Sequence, residues 1–287
     1  MSEKHIDEIS GVSTTGHEWD GIRELNNPLP RWWVWTFYAT ILWSIGYTIA
    51  YPAWPLISSA TTGVLGYSSR ADVKNELAAA EAAKADYVAA VSAKSVEEIV
   101  ADENLRTFAT AAGAAAFKVN CVQCHGSGAT GSKGFPNLND DDWLWGGKIA
   151  DIQQTIAHGI RFAGDDDTRV SEMPAFKDIL QPDQVSAVAN FTASLSGLPF
   201  DAAKVEAGKT VFAENCASCH GENAKGGRDF GAPDLTDAIS LYVHSENDME
   251  QQILQPKHGV MPAWQQRLGE TTVKELATYV YSLGGGE

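Results

Sequence analysis

Between positions 32 and 69 the chain carries no charged residue. Within that stretch WWVWTFYATILWSIGYTIAYPAW, residues 32–54, supplies 23 positions, enough to cross the roughly 30 Å hydrocarbon core of a bilayer as a helix. Trp32, Trp33 and Trp35 crowd one end and Tyr51 and Trp54 mark the other, as in an aromatic belt at both interfaces; Pro52 and Pro55 close the helix. The 31 residues ahead of it hold six acids against Lys4, Arg23 and Arg31, so the basic region of a cleavable leader is missing. The pattern predicts an N-terminal segment, 1–31, followed by a transmembrane helix, 32–55.

Polarity then changes. RADVKNELAAAEAAKADYVAAVSAKSVEEIVADENL is rich in Ala, Glu and Lys and predicts a helical linker within residues 56–105. TFATAAGAAAFKVN and AKVEAGKTVFAEN read as helices, as do QPDQVSAVANFTASLSG and LGETTVKELATYVYSLGG. The last of these sets Val273, Leu276, Val280 and Leu283 at helical spacing and stops at Gly284, Gly285 and Gly286. Gly, Pro and Asp fill the loops between, and strand signals are few. The expected class is mainly α.

The chain has only four cysteines, and they occur as Cys121-Val-Gln-Cys124-His125 and Cys216-Ala-Ser-Cys219-His220. A disulfide framework would need more cysteines at wider spacing. One zinc site from both pairs would have to close a gap far longer than a zinc ribbon's. A redox dithiol leaves the histidine after each pair without a purpose. Covalent heme attachment uses all three residues: two thiols add to the porphyrin vinyl groups and the histidine reaches the iron. The expectation is two covalently bound heme c groups, held by Cys121, Cys124, Cys216 and Cys219, with His125 and His220 as iron ligands.

Of the four methionines, Met173 and Met261 share a setting, SEMPAFKDIL and HGVMPAWQQRL, once after each heme motif. A thioether is a soft sixth ligand that raises the potential of low-spin iron. His158 and His258, each opening an HG pair, are the rival ligands, although such a pair also reads as a helix C-terminus with glycine just beyond it. Met249 lacks the shared context and reads as an ordinary helix residue.

The two motifs belong to a longer repeat. CVQCHG aligns with CASCHG, GFPNLND with GAPDLTD, HGI with HGV, MPAF with MPAW and FTASLSG with YVYSLGG, at offsets of 95, 97, 100, 88 and 88. The first copy therefore carries a 12-residue insertion between His158 and Met173, containing AGDDDTR. That insertion reads as a solvated acidic loop, with a calcium site as the alternative. Each copy resembles the class I cytochrome c fold, which divides the region into domains at 106–199 and 200–287. In that fold the proline after the heme motif offers its carbonyl to the proximal histidine, a place matched here by Pro136 and Pro233; a plain turn proline is the other reading.

HEWDGIRELNNPLPRWWVWTFYATILWSIGYTIAYPAWP, followed by two heme motifs each with its Met-Pro, resembles the diheme subunit family of cbb3-type cytochrome c oxidase, subunit III. The resemblance covers essentially the whole chain. It implies a non-catalytic subunit of a proton-pumping oxidase complex, passing electrons from a donor cytochrome c or bc1 complex to the oxygen-reducing core. It also implies the catalytic and monoheme subunits as partners. Covalent heme attachment occurs outside a bacterial cytoplasmic membrane. The expected topology is therefore single-pass in the inner membrane, N-terminus cytoplasmic and heme domains periplasmic. A free-standing diheme carrier and a diheme peroxidase are the alternatives, and a heme-based gas sensor would need an output domain that the sequence lacks.

Net charge is −16, and residues 101–287 hold 25 acids against 14 Lys and Arg. That balance excludes nucleic acid as a partner and suits the steering of a basic cytochrome c.

Overall fold

A computed structural model describes residues 5–287; positions 1–4 of the expected 1–31 segment lie outside it. The chain divides into two compact units, Met1–Ala83 and Lys84–Glu287.

In the first unit, β1 (Thr14–Trp19) and β2 (Ile22–Leu25) form an antiparallel hairpin across Asp20-Gly21, both at positive φ. Few strand signals pointed to it, because a six-residue strand with one buried position, Thr14, paired with a four-residue strand that has none, offers no hydrophobic face to announce it. α1 (Arg31–Ala50) follows and is shorter than the expected span of 32–55. Tyr51 already has extended geometry, as the residue before Pro52 must. None of its residues is buried. Among the described residues no helix is long and apolar enough to cross a membrane. Thr36, Thr40, Ser44, Gly46 and Thr48 punctuate α1, and its tryptophans and tyrosines count as weakly polar in mean hydropathy, so aromatic length alone does not reach that mark.

α2 (Ser69–Ala93) is the expected Ala-rich helix. The linker does not continue as one rod. Ser95 and Glu98 form a capping box that starts α3 (Val96–Ala101), and Asp102 caps α4 (Glu103–Asn120). Val91, Ile99, Leu105 and Ala109 bury one another at this corner.

The rest of the second unit is helical. α5 (Val122–His125), α6 (Ile149–His158), a 3₁₀ turn at Phe176–Asp178 and α7 (Pro182–Ser196) make the first copy. α8 (Val205–Asn215), α9 (Ala217–His220), α10 (Glu246–Leu254), α11 (Gln265–Leu268) and α12 (Glu270–Tyr281) make the second.

Packing does not follow the sequence boundary at 199/200. α4 packs on α12, and α7 packs on α8. The two crossings use equivalent residues in exchanged partnership. At Gly113 of α4 a Cβ would stand 2.1 Å from the Glu275 carbonyl oxygen and 2.8 Å from the Tyr279 Cβ. At Gly208 of α8 it would stand 2.0 Å from the Ala187 oxygen and 2.7 Å from the Phe191 Cβ. Phe117 then meets Tyr279 at 5.2 Å and 57°, and Phe212 meets Phe191 at 5.3 Å and 57°. Gly113 and Gly208 are repeat equivalents, as are Tyr279 and Phe191. Each helix leading into a heme motif is thus closed by the other copy's final helix.

Two cores follow. One joins Val96, Phe117, Ile149, Ile152 and Ile156 to Val273, Leu276 and Val280. The other is continuous in sequence, with Phe176, Val185 and Val188 on Val211, Phe212, Met249 and Ile253.

The missing side chain at each crossing carries a prediction. Gly113→Ala and Gly208→Ala force helices apart and should each cost about 1–3 kcal/mol. Thermal melts of the heme-loaded protein should show both variants well below wild type, whereas Gly128→Ala, at a site with only a side-chain methyl 3.7 Å away, should melt close to it.

Candidate functional site

Each heme motif forms a single turn because the preceding helix runs straight into it. Cys121 ends α4 in helical geometry, with its amide on the Phe117 carbonyl; Cys216 ends α8 likewise on Phe212. His125 and His220 donate to the carbonyls of Cys121 and Cys216 from their own amides at 2.9 and 3.0 Å. All four cysteines are free thiols, Cys124 and Cys219 exposed, Cys121 and Cys216 half-buried. Burial, and after it the neighbouring cysteine, pushes Cys121 and Cys216 up to about 11.

The expected prolines are in place. His125 Nδ1 donates to the Pro136 carbonyl at 3.2 Å, and His220 Nδ1 to that of Pro233 at 3.2 Å. A carbonyl only accepts, so the proton sits on Nδ1 and the Nε2 lone pair is free for a metal. Burial holds both imidazoles below the ordinary histidine range, opposed by those carbonyls. Both rings are therefore neutral, as ligation requires.

Both motifs open on one cavity of about 940 Å³. Its walls include Phe117, Leu138, Ile152, Ile156, Leu276 and Val280 beside the first motif and Val188, Phe212, Leu235, Met249 and Ile253 beside the second. A space lined by apolar side chains, with two thiols and a neutral imidazole at each end and a thioether nearby, has the donor set of a covalently held heme. These residues fit the group.

Met173 and Met261 both line this cavity, but not beside the motifs that precede them. Met261 packs on the core holding Phe117, Ile152 and Ile156, and exchanges backbone bonds with Ile160 at 2.9 and 3.0 Å. Trp264 donates its amide to the carbonyls of Ile156 and Ala157, and Gly159, at φ +72°, leaves room for the Met261 carbonyl, which a Cβ there would meet at 2.2 Å. Met173 packs instead on the core of Val211, Phe212 and Met249.

The rival histidines separate. His158 does end α6, with Gly159 capping it, and its Nδ1 lies 3.0 Å from Asp165 Oδ1; it is not on the cavity wall. His258 lines the cavity rim but is exposed, and α10 has already ended at Leu254, so it caps no helix. In the inserted loop His158, Asp165 and Asp167 bring donor atoms within 4.8 Å of one another. An imidazole and two carboxylates fall short of the six to eight oxygens calcium takes. The loop is closed by the His158–Asp165 pair, as a solvated loop needs.

Two cavity residues, Arg161 and Asp142, belong to no sequence motif. Arg161 is the first residue of the insertion, where the repeat alignment breaks. Asp142 lies in the first loop copy; burial, then the charges of Asp237, Asp140, Asp234 and Asp141, push it up to about 6. Its folded value thus lies above the ordinary 3.8, so between about pH 4 and pH 6 the folded state holds a proton that the unfolded state has lost, and its contribution to stability falls as pH rises. Asp142→Asn should raise the melting temperature at pH 7.5 and match wild type at pH 4, read from melts of the heme-loaded protein at both values.

Residues 11–58 match the family model described as N-terminal domain of cytochrome oxidase-cbb3, FixP. Residues 108–191 and 203–280 match that described as cytochrome C oxidase, cbb3-type, subunit III, one block for each sequence copy. Over 284 residues the chain is 63% identical to the cbb3-type cytochrome c oxidase subunit FixP of Sinorhizobium medicae (strain WSM419), covering 99% of this chain and 98% of that one. It is 62% identical over 286 residues to subunit FixPc of Rhizobium leguminosarum bv. viciae, with 100% of both covered. To subunit CcoP of Cereibacter sphaeroides it is 52% identical over 276 residues, 96% of this chain and 95% of that one.

Proposed function

The chain belongs to the subunit III family of cbb3-type cytochrome c oxidases, and we propose that it is the diheme, membrane-anchored electron-transfer subunit of such a complex, with one covalent heme c at each Cys-x-x-Cys-His. The observation that carries this reading is the single cavity onto which both motifs open, with a carbonyl-fixed histidine at each. A heme iron held there supplies a one-electron ferric/ferrous couple. The protein would screen it from water with aromatic and aliphatic walls and orient each imidazole through Pro136 or Pro233, and Met261 and Met173 would supply the thioethers. Catalysis and proton pumping would rest with partner subunits, with a cytochrome c or bc1 complex as the donor. A thioether at each site would fill the position that a peroxidase keeps open.

The axial pairs proposed are His125 with Met261 and His220 with Met173, each crossing between sequence copies. Packing of Met261 on the core that holds Phe117 and Cys121, and of Met173 on the core that holds Phe212 and Cys216, supports this. In a Cys216→Ser, Cys219→Ser background, which retains only the first heme, Met261→His should lower the midpoint potential and Met173→His should leave it unchanged, because imidazole favours ferric iron more than thioether does. The reverse outcome in a redox titration would return the methionines to their own copies.

α1 is proposed as the anchor, N-terminus cytoplasmic and heme region periplasmic. Its 20 residues rise about 30 Å. The hydroxyls of Thr36, Thr40 and Thr48 bond back to the carbonyls of Trp32, Phe37 and Ile45 at 2.9, 2.7 and 3.0 Å, leaving those polar groups satisfied within the helix. A helix with no buried residue and with small and hydroxyl side chains suits packing on another helix in lipid. A fragment starting at Arg70 should be soluble and heme-loaded yet fail to co-purify with the oxidase core from mild detergent, while the full chain does. Equal recovery of both would remove the anchor from the reading.

A further inference from the structure

Segments 159–161, 169–171 and 259–261 meet at one junction. Ile160 pairs with Met261 on one side, and Arg161 donates its amide to the Arg169 carbonyl at 2.8 Å on the other. Arg161 itself stands at φ +51°, a left-handed conformation unusual for a long side chain. From there its guanidinium donates through Nε to the Gly259 carbonyl at 2.7 Å and through Nη1 to the Ser171 carbonyl at 2.8 Å. Those carbonyls lie two residues before Met261 and two before Met173. One side chain therefore holds both methionine-bearing segments.

The same guanidinium is half-buried on the wall of the shared cavity, and burial holds it below the ordinary arginine range, opposed by Tyr242 and Glu172; an arginine in a protein keeps its proton. No carboxylate pairs with it among the described ion pairs. Its hydrogen bonds go to neutral carbonyls, so the positive charge is held in place without an ion pair and partly removed from water. A positive charge disfavours the oxidised, more positive state of any iron nearby. The second copy has no counterpart, since Met261 follows Val260 where Arg161 follows Ile160.

We propose that Arg161 is a positioning residue shared by both heme sites, which pins the Met173 and Met261 segments together and raises both heme potentials through one half-buried charge. This rests on the crossed methionine reading above. The test is a redox titration of the full-length, heme-loaded chain carrying Arg161→Gln or Arg161→Lys, alongside the near-infrared band of methionine-ligated ferric heme. In Arg161→Gln both midpoint potentials should fall together with both hemes still attached. Arg161→Lys keeps the charge and should restore most of the shift while weakening the near-infrared band, because an ammonium does not reach both carbonyls with one rigid fork. Two unchanged potentials, or a fall in only one, would overturn the proposal. A wild-type protein without the near-infrared band would instead overturn the methionine reading, independently of the potentials. If Arg161→Gln loses heme, the Lys variant decides: potentials as low as those of a Met→His variant would leave the charge no role.

Discussion

The backbone pairing of Ile160 with Met261 is the constraint on which the heme-bearing unit depends. It brings a segment of the second copy against the end of the first copy's α6, so that α11 packs on α6 and α12 closes over α4. The first copy's own continuation is displaced and closes over α8. Equivalent glycines and aromatic rings at the two crossings show that nothing in the local sequence prefers its own copy. The helix-closing contact is the same in either arrangement, and the junction decides between them.

The 12-residue insertion accounts for that decision. Without it, His158-Gly159-Ile160 would lead directly to Met-Pro, as His258-Gly259-Val260 does. With it, the chain loops out through Arg161 and returns at Arg169, tied by His158 to Asp165 and by the Phe162 amide to Thr168 Oγ1 at 3.1 Å. That detour delivers the first methionine to the far side of the junction. An acidic loop that chemistry alone leaves unremarkable is, in three dimensions, the spacer that sets the connectivity.

Much of this was legible in sequence, for definable reasons. The heme motifs and their histidines are local, so five consecutive positions state the chemistry. The prolines are near enough that family resemblance placed their carbonyls. The helices around residues 103–120, 182–196, 205–215 and 270–281 show as runs of apolar periodicity. The exchange of closing helices was not legible, because Gly113 and Gly208 make identical demands and either Phe191 or Tyr279 meets them. Arg161 was hidden for a related reason: its two acceptors are backbone carbonyls, which leave no mark on side-chain identity. The helix expected over 32–55 ends at Ala50, where Pro52 holds Tyr51 in extended geometry before the aromatic stretch is finished.

The interleaved packing also orders events in time. The core around Phe212 and Met249 is complete once the chain has been made as far as α10, whereas the core around Phe117 and Leu276 waits for α12. Its closing contacts span more than 150 residues between Gly113 and Glu275, and such distant pairings form slowly, since a long loop must be closed before any contact rewards it. Until α12 is made, the first Cys-x-x-Cys-His lacks the wall that Leu276 and Val280 give it. The motif that is made first is therefore the one left open longest.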